Sequence, residues 1–122
     1  IYQIQNDLFC IGSYLSNQAN ANLIEELQKK TAVFENYIDE MTEKMPKLSN
    51  FILPGGGKIG ALFQLARTVS RRAERAVVTL SRKNKINEDV LQYINRLSDL
   101  LFTMSRFSNY NEKVSEVIWK RR

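Results

Sequence analysis

Five charged side chains crowd into nine residues of this sequence: Arg67, Arg71, Arg72, Glu74 and Arg75. Four are guanidiniums, whose planar forks match the oxygens of a phosphate. On a helix, Arg67, Arg71 and Glu74 fall within about 60° of one another, on a single face. By the same arithmetic Asn95, Asp99 and Arg106 share a stripe further along the chain. Such stripes could grip a polyanion. They could equally be the solvated faces of two amphipathic helices, laced with i,i+4 pairs worth about 0.2–0.5 kcal/mol each. Phe63 and Val78 lie on the arginine side and Phe102 lies beside Asp99. Apolar groups among charges point to an interface or a cleft rather than open solvent.

A second feature sits between these stripes and the earlier part of the chain, the run Phe51-Ile52-Leu53-Pro54-Gly55-Gly56-Gly57-Lys58. Its apolar head must pack against something, and its glycines turn the chain into the next helix. Unsatisfied amides at such a helix start can receive an anion. The run is not a Walker loop: that pattern needs glycine and Ser or Thr where this sequence has Ile52 and Ile59. A tight turn that needs glycine for its backbone angles explains the run as well.

What is absent narrows the chemistry. There is no histidine, so the Ser-His-Asp and Cys-His triads and His-based zinc sites are excluded. The single cysteine, Cys10, can make neither an internal disulfide nor a multi-thiolate metal site, and suits a small core position in a reducing compartment. No metal ligand set is assigned. The net charge of +5 favours an anionic partner: nucleic acid, a nucleotide triphosphate or an acidic membrane face. The aromatics are not interleaved with the basic residues as stacking platforms, which counts against nucleic acid. No apolar run is long enough to span a bilayer.

The elements that must carry these residues are helical. With 122 residues, 43% of them hydrophobic, the chain is expected to form one domain over residues 1–122. Ile1, Ile4, Leu8, Ile11 and Leu15 mark a first helix over about residues 1–16, ending in a polar stretch from Ser16 to Asn20. It starts without a capping residue, which leads us to expect residues upstream. A second helix is expected from about Leu23 to Lys44, stopped by Pro46, with Ile24, Leu27, Val33, Tyr37 and Met41 buried. A third, from about Gly57 to Arg82, would bury Ile59, Leu62, Ala66, Val69, Ala73, Ala76 and Leu80. The fourth opens at the N-cap Asn87, with Ile86 and Leu91 placed as a hydrophobic staple, and runs to about Asn109. A short link makes the last two helices antiparallel. Trp119-Lys120-Arg121-Arg122 reads as a frayed basic tail. Tyr93, Tyr110 and Trp119 take no role from the sequence. The expected class is all-α, an up-and-down bundle.

Three motifs occur in a fixed order: Phe51-Ile52-Leu53-Pro54-Gly55-Gly56, then Ala66-Arg67-Thr68-Val69-Ser70-Arg71-Arg72-Ala73-Glu74-Arg75, then Ile94-Asn95-Arg96-Leu97-Ser98-Asp99. With the opening Ile4-Gln5-Asn6-Asp7-Leu8-Phe9 and the pair Ile38-Asp39, they resemble the PduO-type ATP:cob(I)alamin adenosyltransferases over nearly the whole chain.

The resemblance implies a trimer of five-helix bundles with active sites between subunits. It implies transfer of the 5′-deoxyadenosyl group of ATP to cobalt of a reduced corrinoid, with release of triphosphate and help from Mg²⁺. On this likeness Arg71, Arg72, Ala73, Glu74, Arg75 and Asn95 bind ATP, and Phe51 approaches the lower face of cobalamin. Arg67 and Asp99 are implied as structural ion-pair members near the site. No side chain serves as nucleophile, because reduced cobalt does. A cytoplasmic setting is implied (the mitochondrial matrix for an animal source), with a reductase and a cobalamin-dependent mutase or dehydratase as partners. The family's N-terminal Thr-x-x-Gly-Asp-x-Gly segment, and an acidic partner for the Arg67 position beyond it, do not occur in these residues. The chain is therefore expected to carry four helices and only part of the nucleotide site. Two other readings compete: a basic helical module for anionic partners, and a trimer that only binds and delivers cobalamin.

Overall fold

A computed structural model describes residues 1–16 and 22–121. They fold into α1 (Tyr2–Leu15), α2 (Leu23–Glu43), α3 (Lys58–Ser81) and α4 (Glu88–Asn111), with no strand among the described residues. The polar stretch expected to end α1 falls outside the described residues from position 17 onward, as does Arg122 of the tail. No helix among the described residues is long and apolar enough to cross a membrane.

The core is organised on α4. Val90, Tyr93, Ile94, Leu97 and Leu100 are buried there and meet Leu23, Leu27 and Phe34 of α2, Val77 of α3 and Ile11 of α1. The α4 start follows its sequence. Asn87 Oδ1 accepts the Asp89 amide at 2.8 Å, and Ile86 and Leu91 both pack against the core. The Asn87 amide in turn donates to the Tyr14 hydroxyl at 3.1 Å, tying the end of α1 to the start of α4.

The buried stripe of α2 differs from the expected one. Val33 and Tyr37 are exposed, and the inward positions are Leu23, Leu27, Thr31 and Phe34, continued by the half-buried Ile38 and Met41. Thr31 can occupy an inward position because its hydroxyl donates to the Leu27 carbonyl at 2.8 Å. A polar residue thus held the stripe together where the apolar pattern broke.

On α3 the inward residues are Gly60, Gln64 and Val77. The expected stripe instead faces out: Ile59, Leu62 and Val69 are about half exposed, as is Leu65. Together with Ile4 and Leu8 of α1 they line an apolar groove of about 740 Å³.

The chain beyond α4 is held in place as far as Trp119, the first residue of the tail expected to fray. Lys113 takes a left-handed conformation (φ 59°), and the Val114 and Lys113 amides donate to the Asn109 and Tyr110 carbonyls at 2.8 and 3.2 Å. This Schellman closure turns the chain back. The returning segment pairs antiparallel with the Phe51 loop through a bridge between Ile52 and Ile118.

Candidate functional site

α3 and α4 bring two of the sequence motifs together. Asn95 Nδ2 donates to Glu74 Oε2 at 2.9 Å across the helix pair. Glu74 is half-buried, while Asn95, Arg71, Arg72, Ala73 and Arg75 are exposed. Among the described residues the guanidiniums of Arg71, Arg72 and Arg75 have no ion-pair partner. The Glu74 carboxylate is held through one oxygen by Asn95 and makes no ion pair with them among the described residues. The result is a cationic stretch of α3 whose three guanidiniums fan around the helix, Arg71 about 60° from Glu74, Arg75 about 100° and Arg72 about 160°. Arg71 is the fork nearest the fixed amide and is suited to oxygens of a multiply charged anion.

Lower on the same helices stand Asp99 and Arg67, both expected as ion-pair members; Arg67 takes no acidic partner among the described residues. Its guanidinium carbon instead lies 5.2 Å from the centre of the Phe102 ring, a cation–π contact. Asp99 pairs with Arg96, whose Nη1 donates to Asp99 Oδ2 at 2.9 Å while its Nε donates to Glu35 Oε1 at 3.1 Å. Those bonds, the Asp99 one first, hold the Arg96 guanidinium above its ordinary pKa, so it stays cationic. Arg96 bridges α2 and α4 at the edge of a cleft of about 500 Å³, which Asp39, Phe102 and Arg106 also line.

The glycine run is explained by a side chain that the sequence did not single out. Asn109, buried near the end of α4, accepts the Gly57 amide at 3.0 Å and donates to the Gly55 carbonyl at 3.1 Å. Gly56 (φ 108°) could not take a side chain: a Cβ there would stand 2.3 Å from Asn109 Nδ2. At Gly60 a Cβ would stand 2.2 Å from Asn109 Oδ1. The loop needs glycine so that Asn109 can approach its backbone. With the Gly57 amide engaged by Asn109, the tight-turn reading accounts for the run.

Phe51 projects from the head of this loop, 81% exposed, and meets Trp119 edge-on at 6.4 Å between ring centres. The chain does not bring it to Arg71 and Asn95. From Lys58 at the start of α3 to Arg71 the helix rises about 20 Å, and the contacts of Phe51 are made with the segment that follows α4, through the Trp119 amide and indole. One chain thus carries a cationic patch at one level and an exposed aromatic at another.

Sequence reasoning also missed Asp7, Lys30 and Tyr93. Asp7 is buried on α1 and accepts both from the Tyr93 hydroxyl at 2.7 Å and from the Lys30 ammonium. Burial, then the hydrogen bond to and charge of Asp7, push the Tyr93 hydroxyl well above the usual tyrosine range. Nothing local in the sequence links residues this far apart. The only hint was an aspartate at an inward position of the α1 stripe, three residues after Ile4 and four before Ile11.

Comparison with known proteins gives a consistent picture. Residues 1–108 match the cobalamin adenosyltransferase family. The chain is 39% identical over 118 residues to a corrinoid adenosyltransferase of Bacillus subtilis, covering 97% of this chain and 61% of that protein. It is 40% identical over 121 residues to a cobalamin adenosyltransferase of Cupriavidus metallidurans, covering 99% of this chain and 64% of the relative. A solved variant of the PduO-type ATP:corrinoid adenosyltransferase from Lactobacillus reuteri, complexed with cobalamin and ATP, superposes with a TM-score of 0.73 at 41% identity. That match covers 75% of this chain and 51% of the other. The chain thus spans somewhat less than two thirds of the length of these curated relatives.

Proposed function

This chain belongs to the cobalamin adenosyltransferase family, and from that premise we propose that it binds ATP and a reduced corrinoid and transfers the 5′-deoxyadenosyl group to cobalt. The observation that carries the reading is the Asn95–Glu74 pair across α3 and α4, with the Arg71 guanidinium on the same face of α3 and, like those of Arg72 and Arg75, without an ion-pair partner among the described residues. In this reading the cobalt of the substrate, in its lowest oxidation state, attacks the 5′ carbon of ATP. The Co–C bond forms, the C5′–O bond breaks, and its electron pair leaves with triphosphate. Cobalt is oxidised by two electrons, so no protein nucleophile is needed. The arginines stabilise charge that builds on the leaving triphosphate, and Asn95, held by Glu74, fixes the position of the nucleotide.

Phe51 takes the corrinoid's lower face in this account. An apolar ring there excludes water and the corrinoid's own base from cobalt, which eases reduction of the metal. Because Phe51 and Arg71 stand apart within one chain, a complete site needs Phe51 of one subunit near the arginines of another. The open apolar groove between α1 and α3 supports such an assembly, for it leaves Leu62, Leu65 and Val69 without cover. We assign a homotrimer. The relevant Mg²⁺ travels with the nucleotide. Among the described residues no three His, Cys, Asp or Glu side chains converge into a metal cage, so no step is assigned to a protein-held metal. A reductase supplying the low-valent corrinoid, and a cobalamin-dependent mutase or dehydratase receiving the product, complete the setting, in the cytoplasm or an animal's mitochondrial matrix.

The test is Asn95→Ala and Glu74→Ala in a steady-state assay of ATP and cob(I)alamin consumption. Both should raise the KM for ATP about tenfold or more while the helical circular dichroism is unchanged. Unaltered KM values in both variants would return these residues to the role of a solvated helix face.

A further inference from the structure

The exposed position of Phe51 raises a physical question: what keeps an aromatic ring on a loop in one place when no core surrounds it. The answer lies in the tail. Leu53 donates its amide to the Val117 carbonyl, and Trp119 donates its amide to the Phe51 carbonyl, both at 2.8 Å, on either side of the Ile52–Ile118 bridge. The backbone of Phe51 is thus held by the returning tail, and its ring rests edge-on against the Trp119 indole. The tail is itself fastened at one polar point. Arg106, buried on α4, donates from Nε to Glu116 Oε1 at 2.7 Å and from Nη2 to the Pro46 carbonyl at 3.2 Å. One guanidinium therefore ties both the segment that enters the Phe51 loop and the strap that leaves α4.

We infer that Arg106 and Glu116 are positioning residues for Phe51, acting through the Val117–Trp119 strap, so that the Arg106–Glu116 bond controls the lower face of the corrinoid site. The inference rests on the proposed function for its chemical consequence and on the hydrogen bonds alone for its structural one. Two surfaces make the bond effective. The Arg106 side chain is 8% exposed and Glu116 30% exposed, so the pair is shielded, unlike the α2 pair Glu25–Lys29, which is above 70% exposed on both sides. A shielded, charge-assisted bond holds its geometry where an exposed one does not. The strap is short, and among the described residues release at Glu116 leaves its Val117–Trp119 part to the two backbone bonds and the indole contact.

Glu116→Lys places a cation beside Arg106 and should free the strap; Glu116→Gln keeps an acceptor and should retain it. Trp119 is the only tryptophan in the chain and reports on docking without any ligand. It is 49% exposed when docked, so its accessibility to acrylamide should rise about twofold in Glu116→Lys, with a red shift in emission. Glu116→Gln should resemble the wild type. In the same proteins, cob(II)alamin with ATP is followed by absorbance and paramagnetic resonance for loss of its lower ligand. Glu116→Lys should show about tenfold less of the ligand-free species, with the KM for ATP unchanged, and Phe51→Ala serves as the reference for its full loss. Trp119→Ala, which leaves the bond to Arg106 intact, should give an intermediate loss and stands in for Glu116→Lys in the corrinoid arm should that variant fail to fold. Unchanged quenching in a folded Glu116→Lys would overturn the strap. An undiminished ligand-free signal, in a folded Glu116→Lys or otherwise in Trp119→Ala, while the wild type shows one, would overturn the inference alone. No ligand-free signal in the wild type would instead sink the functional reading and take the inference with it.

Discussion

Replacing Asp7 by alanine tests whether the buried polar triad holds α1 against the α2–α4 core. Asp7 is 3% exposed and Tyr93 fully enclosed, so truncation strands the Tyr93 hydroxyl in an apolar interior. An unsatisfied buried hydroxyl costs about 1–3 kcal/mol. The Lys30 ammonium also loses its partner, but its side chain is 33% exposed and reaches water, so this adds only about 0–1 kcal/mol. The sum is a loss of about 1–4 kcal/mol, a large share of the stability of a domain this size. Tyr93→Phe keeps the ring packed 5.1 Å from Phe34 and removes only the hydroxyl, costing about 1–2 kcal/mol. Because both changes break the same bond, the double variant should be less destabilised than the sum, by about 1–2 kcal/mol. Urea unfolding of the wild type and three variants gives all four numbers. Strict additivity would refute the claim that Asp7 and Tyr93 act on each other.

The same pair sets an alkaline limit. The Tyr93 pKa is raised in the folded protein, so its neutral form is favoured there, and this contribution is fully present below the unfolded tyrosine value near 10. As pH rises past 10 it declines by up to about 1.4 kcal/mol per unit, so the stability advantage over Tyr93→Phe should shrink only above pH 10. Lys113→Gly should stabilise the protein by about 1 kcal/mol in thermal unfolding, since it relieves a side chain from the left-handed turn that closes α4. Gly60→Ala should destabilise by about 1–3 kcal/mol, since its methyl group displaces Asn109 from the loop; an unshifted urea midpoint would contradict the close approach. Arg71→Ala should lower kcat/KM for ATP by an amount equal to about 2–4 kcal/mol, while unchanged kinetics would make Arg71 a solvated surface residue.

The contrast between what the sequence disclosed and what it concealed follows from range. The helices were legible because the 3.6-residue period and the Asn87 cap are local; angular arithmetic put Glu74 and Asn95 each on a stripe of its own helix, the family resemblance joined them, and only the packing of α3 on α4 shows their hydrogen bond. Thr31 hid the inward face of α2, because a threonine that satisfies its hydroxyl on its own helix counts as polar in any pattern. The α3 stripe Ile59, Leu62 and Val69 was read correctly as apolar and wrongly as buried within the chain, since periodicity reports a face to be covered and not what covers it. Arg67 stacks on Phe102 through the packing of α3 on α4, while Asp99 is the ion-pair member expected, with Arg96 three residues earlier on its own helix as its partner. Asn109, the strap and the Asp7–Lys30–Tyr93 triad depend on contacts between distant residues, which no local spacing encodes.

The central claim is an alkyl transfer from ATP to a low-valent cobalt. Its most direct test is a single-turnover reaction of the protein with ATP, Mg²⁺ and chemically reduced cob(I)alamin, with both products quantified. The account predicts that decay of the cob(I)alamin spectrum yields a light-sensitive adenosylated corrinoid and intact triphosphate in equal amounts. Persistence of cob(I)alamin, or cleavage of ATP to ADP and phosphate with no cobalt–carbon product, would contradict it.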